Sequence, residues 1–283
     1  MHTVFHRMQR LPMAKIRTSA LLSILLALVL LGVAGCGAFF DFNLFRNVDK
    51  PGVPDPSRYE NGSGGLANLQ ADLSSPAIVN ALKGSPSTVG DIQTYLVINY
   101  GIVTPTGPGT VTAGDGQTAA VLYADLALKS TSGDILVNNV VSTLMTAPSG
   151  NIASLLASIV PPDAAADQTK FDTMISALTA ADWAYQALGA SIPPNPPGSN
   201  NMGDVAQKAA VAYLMDTILA TLYGAPNNLT QPQAYAQLFA LVNNQANSIS
   251  NVSVADPFAN LSTDASLSWL KHIFDAAGAP YPG

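Results

Sequence analysis

One cysteine, Cys36, and one histidine beyond it, His272, bound the nucleophilic and metal chemistry open to this chain of 283 residues. A cysteine thiol reacts as its thiolate and can be alkylated to a stable thioether. A His-based zinc site needs two or three imidazoles, which one histidine cannot supply. A Ser-His-Asp unit would use His272, but no G-x-S-x-G elbow accompanies it. His272 follows Lys271 near the end of a predicted helix, where the helix dipole favours a cation, so a structural role is expected. Carboxylates are the remaining reagents. Asp163 and Asp167 lie at i,i+4 and Asp172 follows them. Paired carboxylates can do acid–base work, yet at a helix start the positive dipole end already accounts for Asp. Asp216 lies in an apolar segment, with Lys208 two turns earlier on nearly the same face. Because an unpaired buried carboxylate is costly, Asp216 is expected to reach solvent. No Walker-type loop and no EF-hand spacing occurs. The expectation is a chain without catalytic residues, metal or cofactor, and not an enzyme.

The segment around Cys36 says more. Residues 1–19 carry Arg7, Arg10, Lys15 and Arg17 and no acid, and residues 20–34 are apolar apart from Ser23. That run makes a helix of about 22 Å at 1.5 Å per residue, whereas a bilayer core of roughly 30 Å needs about 20 residues. A basic start, a short apolar run and small residues at its end read as an export signal. The string Leu31-Gly32-Val33-Ala34-Gly35-Cys36 resembles the lipobox of bacterial lipoproteins. The resemblance implies cleavage before Cys36, lipid attachment to its thiol, and two or three acyl chains of the palmitate class. Each buried CH₂ contributes about 0.8 kcal/mol, and one myristoyl chain holds only reversibly; several chains make the anchor durable. Residue 37 is Gly rather than the Asp that marks inner-membrane retention in this family. That implies the periplasmic face of the outer membrane, with the extracytoplasmic face of the plasma membrane as the alternative. The domain plan is then a signal peptide over 1–35, a membrane tether over 36–65 and an all-helical periplasmic domain over 66–283.

Composition removes further options. Four of the 12 basic residues and none of the 18 acids precede Cys36, leaving 8 basic against 18 acidic residues in the processed chain. Past Arg58 only Lys83, Lys129, Lys170, Lys208 and Lys271 are cationic. Nucleic acid needs clustered Lys and Arg, so it is excluded as a partner. With its one cysteine lipidated the body can form no disulfide, although an exported location permits them. Glu60 is the one glutamate and the other acids are Asp. Asp prefers helix caps to helix interiors, which places many of these residues at helix starts and in loops.

From residue 66 the pattern is helical nearly throughout. Ser75-Pro76 opens a helix that Gly84 ends. Further helices are predicted over about 89–100, closed by Gly101, then 117–130 and 134–147 as a hairpin with an Asp125–Lys129 pair, and about 150–160. Another is predicted over 163–190, where Phe171, Met174, Ile175 and Leu178 mark one face. Residues 204–224 are apolar nearly all round and should form a buried central helix. Helices over 231–249 and 263–277 complete the set. VTPTGPGTVT could form a small ribbon. The fold class is all-α, a bundle or irregular array of about eight or nine helices in hairpins. The tether holds Phe39, Phe40, Phe42 and Phe45 within seven residues, suited to a membrane interface or to a groove on the body. Its Pro51, Pro54, Pro56, Gly62, Gly64 and Gly65 argue against regular structure.

VGDI, SGDI and MGDV open predicted helices, but Gly90, Gly133 and Gly203 do not keep one period, which fits separate Asp caps better than a repeat. Ala181-Asp182-Trp183-Ala184-Tyr185 is weakly similar to the tetratricopeptide-like helical lipoproteins of bacterial envelopes; the 34-residue period is missing. Two functions remain. One is a non-enzymatic, lipid-anchored helical scaffold that binds another envelope protein. The alternative is a periplasmic binding component for a small apolar or neutral ligand, serving a transporter. Trp183, Tyr185, Tyr213, Tyr223 and Trp269 are the candidate pocket aromatics, though their helical spacing points to core.

Overall fold

Capping and breaking residues written into the sequence set most helix ends in the computed structural model. It describes residues 52–146, 158–193, 202–225, 227–243, 258 and 260–279. The leader, Cys36 and the four tether phenylalanines lie outside these residues, as do most of the helix expected over 150–160 and the end of that expected over 231–249. The chain is all-α, with ten α-helices among the described residues. They are α1 (Gly62–Leu73), α2 (Pro76–Lys83), α3 (Pro86–Tyr100), α4 (Asp115–Lys129), α5 (Gly133–Thr146), α6 (Pro162–Ala165), α7 (Gln168–Ser191), α8 (Gly203–Tyr223), α9 (Gln231–Val242) and α10 (Ser268–Ala277). Between α3 and α4 the expected ribbon forms, β1 (Val103–Thr104) paired antiparallel with β2 (Gly107–Pro108).

The aspartates sit largely where their chemistry predicts. Asp55, Asp167 and Asp264 are N-caps whose carboxylates accept backbone N–H bonds. Asp115, Asp134, Asp163 and Asp204 lie in first helical turns. The Asp167 cap also splits the helix expected over 163–190 into α6 and α7. Ser75 holds the N-cap position of α2, but its hydroxyl makes no capping bond. Of the three Gly-Asp strings, Gly90-Asp91 falls inside α3, which starts at Pro86.

Two expectations are corrected. Regular structure begins inside the segment read as tether: a 3₁₀ turn over Pro56–Tyr59 leads into α1 at Gly62. Tyr59 is buried, and its hydroxyl donates to Asp72 at 2.7 Å. A Cβ at Gly65 would overlap the Tyr59 carbonyl. That glycine, read as a breaker, is a point of close approach. The second correction concerns the centre. The hub is α7, not α8: α7 contacts α4 most extensively, then α10 and α8, and it also meets α5, α6, α9 and both strands. Its Ala181, Ala184, Ala187 and Gly189 are buried and small, so neighbours come close on several sides. At Gly189 a Cβ would overlap the Trp269 carbonyl of α10. Helix α8 is long and apolar enough to cross a membrane by length and composition. It nevertheless packs against α5, α7, α9 and α10, as a core helix does.

Candidate functional site

A half-open groove of about 700 Å³ lies beside the N-terminal half of α7. Its floor is apolar, with Leu82 of α2, Val89 of α3, Tyr123 and Ala127 of α4, and Ala177 and Ala180 of α7. Its rim carries hydroxyls from the α4–α5 turn, Ser130, Thr131 and Ser132, and from α7, Thr169, Thr173 and Ser176. The turn is braced from within: Thr131 Oγ1 donates to the Ala127 or Leu128 carbonyl at 3.1 Å and accepts from the Gly133 N–H at 3.1 Å. Ser132 Oγ donates to Asp163 Oδ2 at 2.9 Å across the rim.

Charge on this rim is distributed unlike that elsewhere. Arg58 pairs with Asp72, Lys129 and Lys208 with Asp125, and Lys271 with Asp275. Among the described residues, Lys83 and Lys170 are the lysines without an ion pair, and both line the groove. Lys83 lies near enough to Asp134 to oppose the rise that burial imposes on that carboxyl.

The remaining chemistry-bearing side chains meet elsewhere. Asp163, Asp167 and Asp172 do not converge: Asp163 accepts from Ser132, Asp167 caps α7, and Asp172 accepts from Gln168 Nε2 at 2.6 Å. Lys208 does not serve Asp216. Its ammonium reaches Asp125 of α4 at 2.8 Å and Asp204 one turn back. Burial alone would lower the Lys208 pKa; the charges and hydrogen bonds of Asp125 and Asp204 outweigh that and raise it. Asp216 is half-buried rather than solvated, and burial raises its carboxyl. Its electrostatic neighbour is Asp182 of α7, which is fully buried. Burial first, then the charge of Asp216, pushes Asp182 up to about 8, against an opposing bond from Gln186. Gln186 Nε2 donates to Asp182 Oδ2 at 2.6 Å, while Oδ1 has no partner among the described residues.

Asp182 escaped the sequence reading, yet a signal exists. Leu178, Asp182, Tyr185 and Gly189 follow at spacings of four, three and four. They continue the apolar face that Phe171, Met174, Ile175 and Leu178 begin. A carboxylate on that face has to be buried. The pair does not line the groove.

His272 lies mid-helix in α10, and its Nδ1 is 3.1 Å from the Gly189 carbonyl. The helix end it meets is therefore that of α7 and not its own. Tyr185 and Trp269 are core, and Tyr213 stacks edge-on against Trp269 at 6.0 Å. The aromatic side chain that lines the groove is Tyr123. Among the described residues no cluster of three His, Cys, Asp or Glu side chains could hold a metal ion. No protein-family model, curated protein or solved structure matches this chain. What it does has to be read from its own groove and its own charges.

Proposed function

We propose that this chain is a lipid-anchored cell-envelope protein, a non-enzymatic helical binding module that works through the α7 groove. The observation that carries the binding role is the groove itself. At about 700 Å³, it falls within the roughly 300–1,000 Å³ of small-molecule sites, and it combines an apolar floor with a few polar groups. The anchor rests on the lipobox-like string ending in Cys36, which implies the periplasmic face of the outer membrane, or the extracytoplasmic face of the plasma membrane. The scaffold reading, in which another envelope protein is the partner, draws less support. Among the described residues the exposed large apolar side chains are Val53, Ile98, Ile135 and Tyr223, one each on the N-terminal segment, α3, α5 and α8. Single exposed apolar residues are ordinary on a protein surface.

Extraction of the protein from its native membrane, followed by mass spectrometry of co-purifying small molecules, tests the binding role. A small molecule is expected in the wild type and lost in Ala177→Trp, which fills the groove floor. Capture of one crosslinked envelope protein with no small molecule would favour the scaffold. The anchor is tested separately: a fatty-acid analogue should label the wild type and not Cys36→Ala.

A further inference from the structure

We propose that the groove takes a small amphipathic molecule with an anionic head, of the class of medium-chain carboxylates. Its tail lies on Leu82, Val89, Tyr123 and Ala177, and its head is held by the unspent ammonium groups of Lys83 and Lys170. The proposal rests on the binding role given above and replaces a neutral ligand with an anionic one.

Three observations carry it. The first is the pairing pattern. In a body with more than twice as many acids as bases, carboxylates are plentiful, and the other described lysines have found one. The two that make no ion-pair contact, although Lys83 acts on Asp134 through space, are on the same groove while coming from separate helices, α2 and α7. Second, Lys83 is partly buried and Lys170 exposed. A neutral ligand laid over this wall would strip water from the Lys83 ammonium and return nothing, which is costly. An anion returns a charge-assisted hydrogen bond, roughly twice as strong as a neutral one. Third, the groove lining holds one acid, Asp163, against the two lysines, so its charge balance is positive on an otherwise acidic protein. The apolar floor gives such a ligand its second handle, since each buried CH₂ is worth about 0.8 kcal/mol, or about fourfold in affinity. Two isolated lysines on an acidic body suit one headgroup; they are too few for a polyanion.

The test is calorimetric titration of the full chain in lipid nanodiscs with octanoate and with 1-octanol. Empty nanodiscs correct for partition into lipid. Octanoate is expected to bind about tenfold or more tightly than 1-octanol. The double variant K83Q/K170Q should remove that preference while still binding 1-octanol. Ala177→Trp should abolish binding of both. Equal affinities that Ala177→Trp abolishes would overturn the anionic head and leave groove binding standing. Octanoate binding that survives both variants would overturn the proposal, and so would no binding of either ligand. If mass spectrometry of the native protein also finds no small molecule, the binding role falls with it.

Discussion

Helix α8 meets buried charge twice, and the two solutions are opposite. Near its N-terminus, Lys208 enters the interface with α4 and finds Asp125 at 2.8 Å. Two turns on, Asp216 is half-buried, and the group its charge acts on is another carboxyl, Asp182. At the first site opposite charge offsets desolvation, and the ammonium is held more firmly than in water. At the second no cation is supplied, and a proton does the neutralising: Asp182, pushed up to about 8, is largely protonated at neutral pH. A buried acid tolerated in this way makes stability depend on pH.

The largest effect should therefore come from Asp182. Its folded pKa of about 8 lies above an unfolded value near 3.9, so the folded state binds the extra proton. That stabilisation is complete below about pH 4 and is lost as pH rises through the folded pKa. One pKa unit is about 1.36 kcal/mol, so the loss between pH 5 and pH 8 is on the order of 4 kcal/mol. Urea unfolding at both pH values should show it in the wild type and show that much less of it in Asp182→Asn. Equal slopes in the two proteins would mean that Asp182 is solvated, and the contrast would collapse.

Next comes Asp125→Asn, which leaves Lys208 buried with one exposed partner. A broken buried pair costs about 3 kcal/mol, expected as a drop in unfolding free energy at pH 7. Tyr185→Phe should act the other way. The Tyr185 hydroxyl is buried without a partner among the described residues, and its removal should stabilise by about 1 kcal/mol, read as a higher Tm. The smallest change is expected for Asp204→Asn. Asp204 is the exposed partner of Lys208, with 69% of its side chain open to solvent. Exposed pairs contribute about 0.5 kcal/mol, so a double-mutant cycle should place nearly all of the coupling on Asp125.

Much of the fold was legible because its signals are local. Pro76 opens α2 and Gly84 ends it. Gly101, in the left-handed conformation, ends α3. Asp167 and Asp264 cap as an acid at a helix start should. The failures share one cause. Gly62 and Gly65 signal flexibility locally, but Gly65 is needed for the approach of Tyr59. The apolar mean of α8 suggested a centre that α7 occupies, because small residues on several faces let neighbours approach more closely than apolar character alone does. The groove was not legible, since its walls come from α2, α3, α4 and α7, and no spacing within one segment encodes their meeting.

By itself the sequence determined many of the helix ends, the lone cysteine in its lipobox-like setting, and a composition with one histidine and no arginine beyond Arg58. These are properties of residue identity and of neighbours within a few positions. The tertiary structure alone decided which aspartate is buried beside another, which lysines find a carboxylate, and that the two left unpaired share one groove. Desolvation and Coulomb energy depend on distances across helices, and those distances exist only once α7 has gathered its neighbours.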